Sequence, residues 1–190
     1  HMDGELIRAE IKVPGQHQVT NTLAAVRVAK LLGLDMEQMT RGIASVVPIA
    51  GRNRIIQEGN FTLIDDCYNA NPVSMKAALD LLSLADTRKV AILGDMFELG
   101  ENSDMLHSGV GCYAKGKTDL LICIGENAKH IYDGAKEAGV AHIYHFTDKE
   151  SFLREKENLL QAGDTILLKA SHGMAFETSV SYTHLRAHET

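Results

Sequence analysis

Short apolar runs that end in polar loops, each followed by a segment with helical spacing, constrain this chain more than any other feature. Phe61-Thr62-Leu63-Ile64 is a β-favouring run that stops at Asp65-Asp66, and two amides and a proline follow. Asn71 can cap a helix there, and Pro72 suits its first turn, where a missing N–H costs nothing. From Ser74 to Leu84 the apolar residues Met75, Leu79 and Leu82 recur at helical spacing. The same alternation repeats downstream. Strands are predicted near 54–58, 61–65, 89–94, 120–124, 142–146 and 165–169; helices near 72–85, 103–116, 127–138, 149–161 and after 173. Such alternation predicts a three-layer, Rossmann-like α/β domain, its sheet mostly parallel with helices on both faces.

The first fifty residues have a different pattern. Glu5 to Val13 reads as a strand closed by Pro14-Gly15. His17 to Leu32 reads as a helix with Val19, Leu23, Val26 and Ala29 on one face. Asp35 begins another, with Gln38 placed for a capping box and Met36, Met39, Ile43 and Val46 turned inward. Val47-Pro48-Ile49-Ala50-Gly51 breaks the pattern and predicts a domain boundary. His1-Met2 reads as a cloning scar. The tail from Ser181 to Thr190 lacks an apolar stripe and reads as non-native.

Composition narrows the function classes. The formal net charge of −6 argues against a general nucleic-acid binder, which presents a basic stripe. No apolar run approaches the roughly 18 residues of a membrane span, and no signal peptide is visible. Cys67, Cys112 and Cys123 show no metal-like spacing and read as reduced cytosolic thiols.

If the strands are parallel, the loops after Asp66, Asp95, Gly125 and Lys169 share one sheet edge, where open α/β sheets bind ligands. Asp66, Tyr68, Asn69 and Asn71 lie on the first of these loops. Lys169 closes the run Thr165 to Leu168, so its ammonium is expected to emerge beside Ser171 and His172, suited to a carboxylate or phosphate. Asp95 is expected to orient its neighbouring loop, and Glu98 to be a surface charge. His107 and His130 fall on helices with no partner at ligand spacing, and no metal site is assigned. Gly125-Glu126-Asn127 follows a strand, but G-x-G-x-x-G is absent, which argues against an NAD site.

Five blocks carry a family resemblance. They are Val13-Pro14-Gly15-Gln16-His17 through Asn21 to Ala25; Gly51-Arg52; Asp66-Cys67-Tyr68-Asn69-Ala70-Asn71-Pro72; Leu93-Gly94-Asp95-Met96-Phe97-Glu98-Leu99-Gly100; and Lys169-Ala170-Ser171-His172-Gly173-Met174. Together they resemble the C-terminal part of the Mur ligases, in the branch that joins D-alanyl-D-alanine to a UDP-N-acetylmuramoyl tripeptide. Gln18 stands where that family usually has Asn. The resemblance implies that residues 1–50 close a central ATP-binding domain and 51–180 form the C-terminal domain, with 181–190 outside it. It implies ATP-driven amide ligation in the bacterial cytoplasm: the tripeptide carboxylate takes the γ-phosphate as an acyl phosphate, and the dipeptide amine then displaces phosphate.

By the same resemblance His17, Asn21, Arg52 and Asp66 face ATP: Asn21 the adenine, Arg52 the phosphates, Asp66 the ribose hydroxyls. Tyr68, Asn69, Asn71, Lys169, Ser171 and His172 face the peptide substrates. Magnesium would accompany ATP, and a monomer is expected. Nothing in the chain reads Gly-x-x-Gly-Lys-Thr or a related phosphate-cradling loop, so this chain is expected to be a fragment without activity of its own. Three alternatives stand beside this reading. They are a sister ligase adding a diamino acid or a folylpolyglutamate synthase, a non-catalytic α/β receiver-like module, and a free-standing protein working with a separate ATP-binding chain.

Overall fold

A computed structural model describes residues 8–47 and 51–176. The chain divides into two compact units, residues 1–49 and 50–190.

In the first unit, α1 (Gln16–Leu31) and α2 (Met36–Ala44) form as the periodicity predicts. Asp35 and Gln38 close the expected capping box: Asp35 Oδ1 accepts the Gln38 N–H at 2.8 Å, and Gln38 Oε1 accepts the Asp35 N–H at 2.9 Å. The inward face predicted for α1 is only partly covered. Val26 is buried and Ala29 half-buried, but Val19 and Leu23 are exposed, because the groove against α2 is lined by Gln18, Thr22, Ala25, Val26 and Ala29 of this helix. Residues 8–13, the described part of the predicted first strand, run as irregular chain with no ladder partner among the described residues.

The second unit carries one six-stranded sheet. Its strands are β1 (Arg54–Glu58), β2 (Phe61–Asp65), β3 (Lys89–Gly94), β4 (Leu120–Ile124), β5 (Ile143–Phe146) and β6 (Thr165–Lys169), in the order β1-β2-β6-β3-β4-β5. β1 and β2 form an antiparallel hairpin with Arg54 opposite Asp65, while the other four pairings are all parallel. Its helices are α3 (Pro72–Ser83), α4 (Ser103–Tyr113), α5 (Ala128–Ala138) and α6 (Lys149–Leu159).

Strand parity makes the layers. Ala91, Leu93, Leu121, Cys123 and Leu167 pack with Met75, Leu79, Leu82, Val110 and Ile131 from α3, α4 and α5. Val90, Ile92, Ile122, Ile166 and Leu168 point to the other face, against Phe152 and Leu159 of α6 and against Phe176. Strands buried on both faces explain why these runs are continuously apolar. α4 and α5 touch backbone to backbone. A Cβ on Gly111 would lie 1.9 Å from the Ile131 carbonyl oxygen, and one on Gly134 2.2 Å from that of Ser108.

Of the helix predicted after 173, the described residues include the single turn His172–Met174 and Phe176. The scar at 1–2 and the tail at 181–190 lie outside the described residues.

Candidate functional site

The parallel ladders put the ends of β2, β3, β4 and β6 at one sheet edge, and antiparallel β1 starts there too. Arg52 therefore joins the loops after Asp66, Asp95 and Lys169. The hairpin start and the β2 loop are stitched together. Asp65 Oδ2 accepts the Gly51 N–H at 3.0 Å, Asp66 Oδ1 accepts the Asn53 N–H at 3.1 Å, and the Tyr68 N–H donates to the Gly51 carbonyl at 2.9 Å. Gly51 has φ 73°, and a Cβ there would press to 3.2 Å from the Tyr68 nitrogen, so glycine suits this position twice over.

Lys169 departs from the sequence expectation. Its ammonium does not emerge at the edge; the residue is 1% exposed. It donates to Asp66 Oδ2 at 2.5 Å, to the Asp66 carbonyl at 3.3 Å and to the Asn69 carbonyl at 2.9 Å. The reason is position in the sheet. β6 is central and wholly buried, so a cation at its end must find a carboxylate within the fold. Lys169 thus clamps the very loop that carries Asp66, Tyr68 and Asn69. Asp66 is 8% exposed, with one carboxylate oxygen on Lys169 and the other on the Asn53 amide.

Above this buried layer the side chains open outward. The Arg52 guanidinium lies 4.0 Å from the Tyr68 ring centre, and the Tyr68 and His172 rings are 6.0 Å apart. A cleft of about 320 Å³ runs beside them. Tyr68, Asn69, Ser171 and His172 line it, together with Phe97, Glu98 and Gly173. Asn71 serves as the α3 cap: its Oδ1 accepts the Ser74 N–H at 2.9 Å, while Ser74 Oγ accepts the Asn71 N–H at 3.1 Å. Asn69 Oδ1 accepts the Ala70 N–H at 2.8 Å.

Sequence reasoning did not assign Phe97 and Glu98 to the site, or see that His107 holds their segment. The Met96 N–H donates to Nε2 of fully buried His107 at 3.0 Å, whose Nδ1 donates to the Ser103 carbonyl at 2.8 Å. The Phe97 N–H donates to Ser171 Oγ at 2.9 Å, and the Ser171 N–H to the Asp95 carbonyl at 3.0 Å. Asp95 holds the first turn of α5, which follows β4, as its expected orienting role allows. Its Oδ1 accepts the Ala128 N–H at 2.6 Å, and a Cβ on Gly125 would lie 2.4 Å from that oxygen. Burial raises the Asp95 carboxyl above its ordinary value, against the pull of the Ala128 and Asn127 amides. Burial, and then the Asp65 and Asp66 charges, raise the nearby Cys67 thiol well above its ordinary value.

His17 and Asn21 lie on α1, in the first unit. The His17 ring folds against Gly15, and Asn21 Nδ2 donates to Gln18 Oε1 at 3.2 Å. Among the described residues no group of three His, Cys, Asp or Glu side chains is arranged to hold a metal ion. No helix among them is long and apolar enough to cross a membrane.

A mostly parallel sheet with a polar, aromatic-walled cleft at its strand ends defines an α/β ligand-binding domain of the three-layer class. Residues 51–172 match the family model described as "Mur ligase, glutamate ligase domain", and the chain belongs to that family. A UDP-N-acetylmuramoyl-tripeptide–D-alanyl-D-alanine ligase of Bacillus subtilis is 32% identical over 90% of this chain and 38% of its own length. The Escherichia coli protein of the same name is 34% identical over 90% and 37% respectively. A crystal structure of MurF from Acinetobacter baumannii superposes with a TM-score of 0.85 at 30% identity, covering 94% of this chain and 39% of that one. The chain thus spans well under half the length of the relatives it matches.

Proposed function

We propose that this chain is the C-terminal portion of an ATP-dependent peptide ligase that adds D-alanyl-D-alanine to a UDP-N-acetylmuramoyl tripeptide. The observation that supports it is the gathering of Arg52, Asp66, Tyr68, Ser171 and His172 at one strand-end edge in a member of this family. Residues 1–50 would then close the ATP-binding domain and 51–180 form the C-terminal one, in a monomer of the bacterial cytoplasm.

The residues present fit a nucleotide. Each Asp66 oxygen holds one partner from the chain and keeps a lone pair for a ribose hydroxyl, and the exposed Arg52 guanidinium can fork onto phosphate oxygens. His17 and Asn21 are assigned to the adenine side. ATP with Mg²⁺ would supply the phosphoryl group that activates the tripeptide carboxylate. This chain's part is positioning: Tyr68, Asn69, Asn71, Ser171 and His172 orient the peptides, and Lys169 acts from behind by fixing their loop.

The test is a chimera in which this chain replaces the matching C-terminal part of the Bacillus subtilis ligase. ADP release that requires both the tripeptide nucleotide and D-alanyl-D-alanine is expected. A folded chimera that binds ATP but releases no dipeptide-dependent ADP would refute the proposal.

A further inference from the structure

We propose that Glu98 is the carboxylate that takes the ammonium group of the incoming dipeptide, so that the cleft selects an amine over its hydroxyl analogue. The inference rests on the ligase reading above and adds a residue to it. Glu98 stands in the left-handed region at φ 61°, which a side-chain-bearing residue occupies only at a cost in strain. The fold does not leave that conformation to chance. Both amides before it are pinned, Met96 to the buried His107 ring and Phe97 to Ser171 Oγ. The Phe97 ring also lies against Gly173, where a Cβ would come within 3.0 Å of it.

Charge bookkeeping singles out the same residue. Asp66 is committed to Lys169 and the Asn53 amide, Asp65 is buried against Gly51, and Asp95 is spent on the start of α5. Among the described residues that line the cleft, Glu98 is the one carboxylate. An exposed carboxylate on a strained backbone, lining the same cleft as Asn69 and His172, suits a cationic ligand.

Chemical-shift titrations of this chain test the idea, with D-alanyl-D-alanine and with D-lactoyl-D-alanine, which replaces the ammonium by a hydroxyl. The unaltered chain should prefer the amine by about tenfold, the share of one charge-assisted hydrogen bond at an open cleft. Glu98→Gln and Glu98→Gly should both bring the preference close to one; the glycine variant keeps the left-handed backbone without the carboxylate. Protection of the Met96 and Phe97 amides from exchange checks that the wall stays formed. Retention of the amine preference in either variant would overturn the role of Glu98 alone. Failure of the unaltered chain to bind the dipeptide would bring down the ligase reading as well.

Discussion

Lys169→Met removes the ammonium behind the cleft while keeping most of the side-chain volume, and its cost follows from the geometry. Three donations vanish, to Asp66 Oδ2, the Asp66 carbonyl and the Asn69 carbonyl, at a residue 1% exposed. The Asp66 carboxylate is left buried with the Asn53 amide as its remaining protein donor among the bonds described. Breaking a buried pair from one side costs about 3–5 kcal/mol, most of it the stranded charge. At roughly 2–4 °C per kcal/mol for a chain of this size, the melting temperature should drop by roughly 10 °C. Adding Asp66→Asn removes the stranded charge, so the double variant should be more stable than the sum of the two single losses implies. Urea unfolding followed by circular dichroism on the four proteins measures this coupling. A loss below about 1 kcal/mol in Lys169→Met, or strict additivity in the double variant, would show that the clamp does not exist as described.

Three further outcomes are expected. Asp95 is held above its ordinary value of 3.8, so the folded chain binds more protons there than the unfolded one, and its contribution to stability falls as pH rises through that window. Asp95→Asn keeps an acceptor for the Ala128 amide and should flatten this fall in denaturation curves taken between pH 3.5 and 7. Gly111→Ala drives a methyl group into backbone that cannot yield, and should cost about 3 kcal/mol in urea unfolding. Arg52→Ala loses an exposed contact with Tyr68 and should cost under about 1 kcal/mol of stability, yet raise the ATP KM of the chimeric ligase roughly tenfold.

Much of the fold was legible because strands buried on both faces leave unbroken apolar runs. Phe61 to Asp65, Lys89 to Gly94, Leu120 to Ile124 and Thr165 to Lys169 form where the pattern predicts them. The strand order was not legible, since periodicity reports which faces are buried and says nothing of which strand pairs with which. The insertion of β6 between β2 and β3 is the fact that turned Lys169 inward. A lysine ending an otherwise apolar run, in a chain with a paired Asp65-Asp66, was the available sign. His107 escaped notice because its partner is the Met96 amide, and no side-chain spacing encodes a backbone donor. Glu98 is exposed, as a surface charge would be, but its left-handed backbone and its place in the cleft are properties of the folded loop that the sequence did not show.

The bonds among the strand-end loops also restrict how such a cleft can diverge. Asp95, Ser171 and Phe97 are joined in series across two strands, and His107 holds the same segment from a helix. A substitution at Ser171 therefore alters a segment contributed by another strand, and one at His107 is felt in the segment whose Phe97 and Glu98 line the cleft. Point mutations that are harmless in one background become harmful in another when their effects are coupled in this way. A change of ligand preference is therefore expected to need the loops exchanged as a set.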